Sequence, residues 1–357
     1  MREKIQQIKD TKAFQSLITS VIALVISLLL GAVIIWLSGY SPVESYKAIL
    51  GFSLGTKKGI ALSLSQATPI MFTGLAVAIA YKVRMINTGA EGQLYVGAMA
   101  AAVAGAYITF LPRAVHIPAA MFCGIMAGGL AALFVAFLKV RFGAGEVITS
   151  LMLNQVLILF TSYLANGPLK SEGSGLAQTE MILETAELTR LIPKTQLTTA
   201  VLIAVIAAFI LHFILTRTTY GYEMKAIGLN VDAAKTAGIH VSRIYLRTFF
   251  ISGAIAGLCG ASMALGTNHR FVEGFSVNYG FAGISVAALA AYNPLGVILS
   301  AILFGILKAG SITLNRTTPV PIEFVDVIQV LVVILVAAPT LIRALIKPFS
   351  LLVKGGK

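Results

Sequence analysis

Long, unbroken apolar runs alternate with short polar stretches along most of the chain, and the runs have the length of membrane crossings. A helix that spans the ~30 Å hydrocarbon core needs about 20 predominantly apolar residues. The pattern predicts ten segments, at 17–37, 59–80, 91–110, 117–138, 147–165, 196–215, 248–265, 281–291, 295–310 and 323–342. The first run, Leu17 to Leu37, is longer than the ~7–15-residue core of a signal peptide, so it is expected to be a retained crossing. Segments 281–291 and 295–310 are expected to be short, rising only about 17 and 24 Å as helices. Asn293-Pro294 separates them, and proline ends one helix while suiting the first turn of the next. Interrupted helices are tolerated where they line a cavity or pack on protein, and in transporters they often mark the pathway. Both readings stay open. The expected fold is all-α, a polytopic membrane protein with about ten transmembrane segments, two of them short and broken at Asn293-Pro294. Residues 17–342 form the membrane domain, with 1–16 and 343–357 as flanking segments.

Composition supports this reading. The chain is 57% hydrophobic and 11% charged, with a mean hydropathy of +0.89. A soluble domain carries roughly 25% charged residues, so a water-soluble enzyme, a secreted disulfide scaffold and a disordered tail are excluded. The formal net charge of +13 comes from basic residues scattered singly rather than gathered in a stripe, which argues against a nucleic-acid partner and leaves the lipid bilayer. With the N-terminus inside, 17 of the 27 Lys and Arg fall on the inner side and 9 on the outer. By the positive-inside rule both termini are then cytoplasmic. The polar connection 166–195 is expected to cap the outer mouth, and the basic connection 216–247 is expected to be cytoplasmic.

Four stretches carry candidate chemistry. In Asn87-Thr-Gly-Ala-Glu-Gly-Gln93, Glu91 sits at the lip of an apolar helix, where it either complements the helix dipole or joins Asn87 and Gln93 in reading a polar ligand. In Glu146-Val-Ile-Thr-Ser-Leu-Met-Leu-Asn-Gln155, Glu146 is expected to cap a helix. Asn154 and Gln155 fall deep inside a crossing, where amides bridge helices or contact solute. In the basic connection, Asn230 suits an N-cap, Asp232 the positive helix end, Lys235 the later turn and Gly238 the stop. These residues predict a short helix outside the membrane, a docking element for another protein. Ser285 and Asn293 mark the broken hairpin. Cys123, Cys259 and the four histidines (His116, His212, His240, His269) show no metal-ligand or catalytic spacing. No phosphate-binding loop is present, so the chain is expected to hold no cofactor itself and to be no enzyme.

Asn87-Thr-Gly-Ala-Glu-Gly-Gln, Glu146-Val-Ile-Thr-Ser-Leu-Met-Leu-Asn, Gly228-Leu-Asn-Val-Asp-Ala-Ala and Asn293-Pro-Leu-Gly, with Ile251–Ala261, together resemble the permease subunits of bacterial ABC importers for nucleosides. These belong to the wider group for branched-chain amino acids and simple sugars. The resemblance runs from about residue 60 to 340. It implies an inner-membrane assembly of two permeases, commonly different chains, two cytoplasmic ATPases that bind ATP-Mg, and an extracellular substrate-binding lipoprotein. By position, Gly228, Asn230, Asp232, Ala233, Ala234, Lys235 and Gly238 would belong to the coupling helix seated in the ATPase. Asn87, Glu91 and Gln93 would border the translocation path. The sequence differs from the family pattern at Thr88, Val231 and Ala290-Ala291-Tyr292. An ion-coupled carrier of a small polar solute and an ABC permease for a simple sugar are the alternatives.

Overall fold

The computed structural model describes residues 12–317, 321 and 323–337. Among these residues the chain is helices and connecting loops, with two isolated β-bridges. The helices are α1 (Lys12–Leu37), α2 (Pro42–Gly55), α3 (Lys57–Tyr81), α4 (Ala90–Tyr107), α5 (Arg113–Phe142), α6 (Glu146–Asn166) and α7 (Ala200–Arg217). They continue with α8 (Thr219–Leu229), α9 (Val231–Thr236), α10 (Val241–Met263), α11 (Tyr279–Leu289), α12 (Pro294–Thr317) and α13 (Glu323–Ala337). A π-helical turn, Ala264–Asn268, prolongs α10. Each expected segment falls on a helix, and among the described residues six helices (α3, α5, α6, α7, α10 with its extension, and α12) are long and apolar enough to cross a membrane. Residues 1–11, the tail 343–357 and the last part of segment 323–342 lie outside the described residues.

Two expectations need correction. The segment after Asn293-Pro294 is not short, since α12 runs for 24 residues. Asn293 Oδ1 accepts from Leu295 N at 3.0 Å and caps its start. Lys308, inside the helix, donates from its ammonium to the Val277 carbonyl at 2.9 Å. Of the pair, α11 alone is short, with 11 residues. The stretch 38–58, expected as a loop, contains α2. There Ser41 Oγ accepts from Glu44 N and Pro42 occupies the first turn, a start signal that was present in the sequence.

Lipid offers no hydrophobic drive between helices, so close van der Waals contact must hold them. At the centre of the bundle, Gly124, Gly128 and Ala132 of α5 face Gly253, Gly257 and Ala261 of α10. A Cβ placed on Gly257 would collide with the Gly124 carbonyl, and Gly97 of α4 closes on the same point. Only glycine allows three backbones to meet there.

The turns 82–89 and 143–145, the α8–α9 connection and residues 290–293 gather at one end, called the Arg84 end. Arg84 Nε donates to Gly228 O at 3.0 Å, and Thr88 Oγ1 to Val147 O at 3.0 Å. The long connection 167–199 lies over the opposite, His269 end. Leu183 N donates to Gly105 O, Ile182 N to His269 O and Leu188 N to Leu265 O, at 2.9–3.0 Å. Its Ile182, Ala186 and Leu188 are buried.

Candidate functional site

The turn between α3 and α4 carries Asn87 into the protein interior, where it is fully buried. Its Nδ2 donates to Gln93 Oε1 and to Ser252 Oγ, both at 2.8 Å. Its Oδ1 accepts from Gly89 N and Gln93 Nε2, both at 3.1 Å. Ser252 in turn donates to Ala76 O at 2.6 Å. The Asn87 amide thereby uses two donors and two acceptor positions, its whole capacity, to tie α3, α4 and α10 together.

One turn further along α4, Glu91 is only 4% exposed. Its Oε2 accepts from Gly280 N at 2.5 Å, across the bundle at the start of α11. Asn278, which precedes α11 at φ 57°, offers no side-chain cap. The Glu91 carboxylate fills that role, satisfying an orphan N–H and complementing the dipole of α11. Thr73 Oγ1 donates to the Tyr279 carbonyl at 2.8 Å. Lys308 Nζ stands 4.8 Å from the centre of the Tyr279 ring. At its other end α11 is held where Tyr292 stacks on Tyr81, with ring centres 3.6 Å apart and planes 11° from parallel. The intervening Ala291 and Tyr292 both have positive φ, at 47° and 57°. This short helix is thus clamped at each end by side chains from other elements.

Asn154 of α6 is buried against α4, and its Oδ1 accepts from Gly92 N. Its Nδ2 and the Ser150 Oγ are buried and make no hydrogen bond among the described residues. Gln155 lies on the exposed face of the same helix, so the two amides point apart. Ser285 is half-buried on α11, and the exposed Asn293 caps α12. The structure therefore brings Asn87, Glu91, Gln93 and Asn154 together, and leaves Gln155, Ser285 and Asn293 outside that cluster. Glu146 makes no cap and instead pairs with Lys139 Nζ at 2.5 Å. Ser252, Thr73 and Tyr279 complete the cluster. No local signal separates such single hydroxyls from the many others in apolar helices.

At the Arg84 end, Asn230 Oδ1 accepts from Asp232 N and Ala233 N at 2.9 and 3.0 Å, opening α9. Gly238, at φ 82°, closes it, with Ile239 N reaching back to Ala234 O at 3.0 Å. The expected helix is present but forms half of a pair, since α8 runs for 11 residues directly before Asn230. The pair rests on the turn after α3. Gly228 lies against the Lys82 carbonyl, and Arg84 holds Gly228 O. Ala234 points inward, while Leu229 is 86% exposed and Tyr222 71% exposed. Burial, with Lys225 nearby, holds the Lys82 ammonium below the usual lysine range.

Residues 59–337 match the family model described as the permease component of the branched-chain amino acid transport system. The guanosine ABC transporter permease protein NupP of Bacillus subtilis is 34% identical over 93% of this chain and 96% of its own. The nucleoside ABC transporter permease protein NupB of Lactococcus lactis is 30% identical over 93% of each. The glucose ABC transporter permease protein TsgB13 of Haloferax volcanii is 30% identical over 88% of this chain and 86% of its own. The chain belongs to the family of branched-chain amino acid transport system permease components, the multi-pass membrane subunits of ABC transporters.

Proposed function

We propose that this chain is the permease subunit of an importer that passes nucleosides across the bacterial plasma membrane, with ATP-Mg bound and hydrolysed on a separate ATPase. The observation that carries the substrate class is the similarity, over almost the whole chain, to guanosine and nucleoside permeases. The Arg84 end is then cytoplasmic, in keeping with Arg217, Lys225, Lys235, Arg243 and Arg247 in that connection. The α8–α9 pair is the seat of the ATPase. A six-residue helix has little stability of its own, and an apolar side chain as exposed as Leu229 suits a protein partner. Movement of the pair passes directly to the turn 82–84, and from there to α3 and to the Asn87 network. A second permease chain and an external substrate-binding lipoprotein complete the assembly, with both termini of this chain in the cytoplasm.

Glu91 does not behave as an ion-coupling site in this reading, because its carboxylate is fixed on Gly280 N. The glucose permease relative keeps a simple sugar as the second reading. Uptake into cells expressing the complete transporter decides between them. Labelled guanosine, adenosine and uridine should accumulate in an ATP-dependent manner, with unlabelled glucose failing to compete. Accumulation of glucose without any nucleoside would replace the first reading by the second.

A further inference from the structure

Near the His269 end, between α3, the π-helical turn and the start of α11, lies a cavity of about 190 Å³. Its lining is mostly polar, unusual for a space enclosed by membrane helices. The side chains of Thr267 and Asn268 line it and make no hydrogen bond with any described residue. Gln66 uses only its Oε1, accepting from the Tyr279 hydroxyl at 2.9 Å, which leaves its Nε2 unspent. Pro69, also in the wall, has no N–H to give the Ser65 carbonyl, so α3 loses a backbone hydrogen bond at this level. Phe275 and Tyr279 add aromatic rings, and no charged side chain lines the space.

Three local distortions converge on this spot. They are the proline inside α3, the π-helical turn Ala264–Asn268, and the left-handed residues His269 and Asn278 that bracket the connection from α10 to α11. Single π-turns are rare and concentrate at functional sites. Left-handed non-glycine residues carry strain that surrounding structure must support. Gln66, Thr267 and Asn268 are each half-buried, and their free polar groups face the cavity. Unspent donors and acceptors beside strained backbone are placed to meet something that hydrogen-bonds.

We propose that this cavity is a nucleoside-binding station of the permease chain. The proposal deepens the nucleoside reading and rests on it. The chemistry of the walls fits an uncharged, planar, hydrogen-bonding ligand. Amide groups match the donor and acceptor edge of a base, hydroxyls match a sugar, and aromatic rings accept a π-face. The absence of a lining cation disfavours nucleotides, whose phosphates need charge-assisted partners. The cavity encloses less than the ~300–1,000 Å³ of a typical ligand site, so it holds one part of the molecule and widens when the transporter moves. Tyr279 links it to the site above. It is the first residue of α11, whose second residue is held by Glu91.

The test is a transport assay on the complete complex in membrane vesicles, with tritiated guanosine and tritiated uridine as probes. Asn268→Ala and Thr267→Val remove groups that bond to no described residue, so abundance should match wild type. Loss of one neutral ligand hydrogen bond of about 1 kcal/mol corresponds to about fivefold in affinity. KM should therefore rise about five- to tenfold, unequally for guanosine and uridine, since the two bases present different edges. Gln66→Leu should act in the same direction, with its abundance measured in parallel. Unchanged KM for both nucleosides in Asn268→Ala and Thr267→Val would overturn the station and leave the nucleoside reading intact. Wild-type vesicles that carry glucose and neither nucleoside would overturn the substrate reading, and the ligand class with it.

Discussion

Two buried polar clusters in the same bundle show opposite economies. Around Asn87, the amide of one residue makes four hydrogen bonds to three residues, and Ser252 relays the chain to the backbone of α3. Around Asn268, its own amide, the Thr267 hydroxyl and the Gln66 Nε2 face a space and bond to no described residue. A saturated network rigidifies, because each lost member strands its neighbours in a low dielectric. An unsaturated cluster stabilises nothing by itself and has value only when a ligand fills it. On the proposal above, the difference separates a joint from a binding surface, although both are asparagines buried or half-buried among apolar helices.

The sharpest way to break this comparison is to make one substitution at both places. Asn87→Leu strands Gln93 and Ser252, at roughly 1–3 kcal/mol for each unsatisfied group. That is a large part of the stability of any domain. Most of the protein should be lost from the monodisperse peak in detergent size-exclusion chromatography. Asn268→Leu should leave that peak at wild-type height. Equal losses in the two variants would mean that the clusters play the same structural part.

The next largest effect is expected at the α8–α9 pair, through which the proposed function has the rigid joint driven. Gly238→Val places a β-branched residue at φ 82°, a conformation such residues tolerate poorly. The purified complex should lose the ATPase, or retain it without stimulation by the loaded binding protein. Docking of the lipoprotein should survive, since it approaches the far end. Stoichiometric ATPase with full stimulation would show that this helix does not couple.

Glu91 sits between the two clusters and sharpens the contrast further. Glu91→Gln keeps an oxygen to accept from Gly280 N but gives up the charge-assisted part of that bond, worth about 1 kcal/mol. Abundance should persist while uptake falls about five- to tenfold. Glu91→Leu removes the acceptor as well and should lower abundance too. Wild-type uptake by the Gln variant would reduce Glu91 to a neutral cap.

The joint was far more legible in the sequence than the binding surface. Asn87, Glu91 and Gln93 are close in the chain, and their motif is visible as a polar island between apolar runs. Asn230 and Gly238 mark their helix by capping rules that act within a few residues. The length of the apolar runs put each expected segment on a helix, because length and hydropathy are properties of one helix at a time. The cavity is the opposite case. Gln66, Thr267, Asn268 and Tyr279 come from three distant elements, and each alone is an ordinary polar residue near an apolar run. The π-helical turn and the left-handed Asn278 arise from packing and leave no local signature. The length of α12 was missed because the apolar run gives way to the polar stretch after residue 310, while the helix continues to Thr317. The Ser41-Pro42 start of α2 was readable and was outweighed by the polar character of residues 38–58.

The smallest effect concerns the joint's own foundation. Lys82 follows α3 at the Arg84 end, and its carbonyl supports Gly228. Burial first, and Lys225 second, make the folded protein hold the Lys82 proton less tightly than the ordinary lysine value of 10.5. Below the lowered pKa, both states are protonated and the fold carries the cost of a partly buried cation. Between the lowered and the ordinary value the unfolded chain binds more protons, so stability rises with pH through that window. Lys82→Met removes the cost without touching the backbone carbonyl that seats α8. At pH 7 the variant should melt about a degree higher than wild type, less than the ~2–4 °C that 1 kcal/mol brings in domains of about 150–250 residues. The gap should shrink as pH climbs toward 10.5, where wild-type Lys82 has shed its proton. Nucleotide-dependent coupling should be unaffected, since Arg84 still holds Gly228 O. A melting difference that stays constant from pH 7 upward would assign the gain to the added methionine contact and remove the charge from the account of this end.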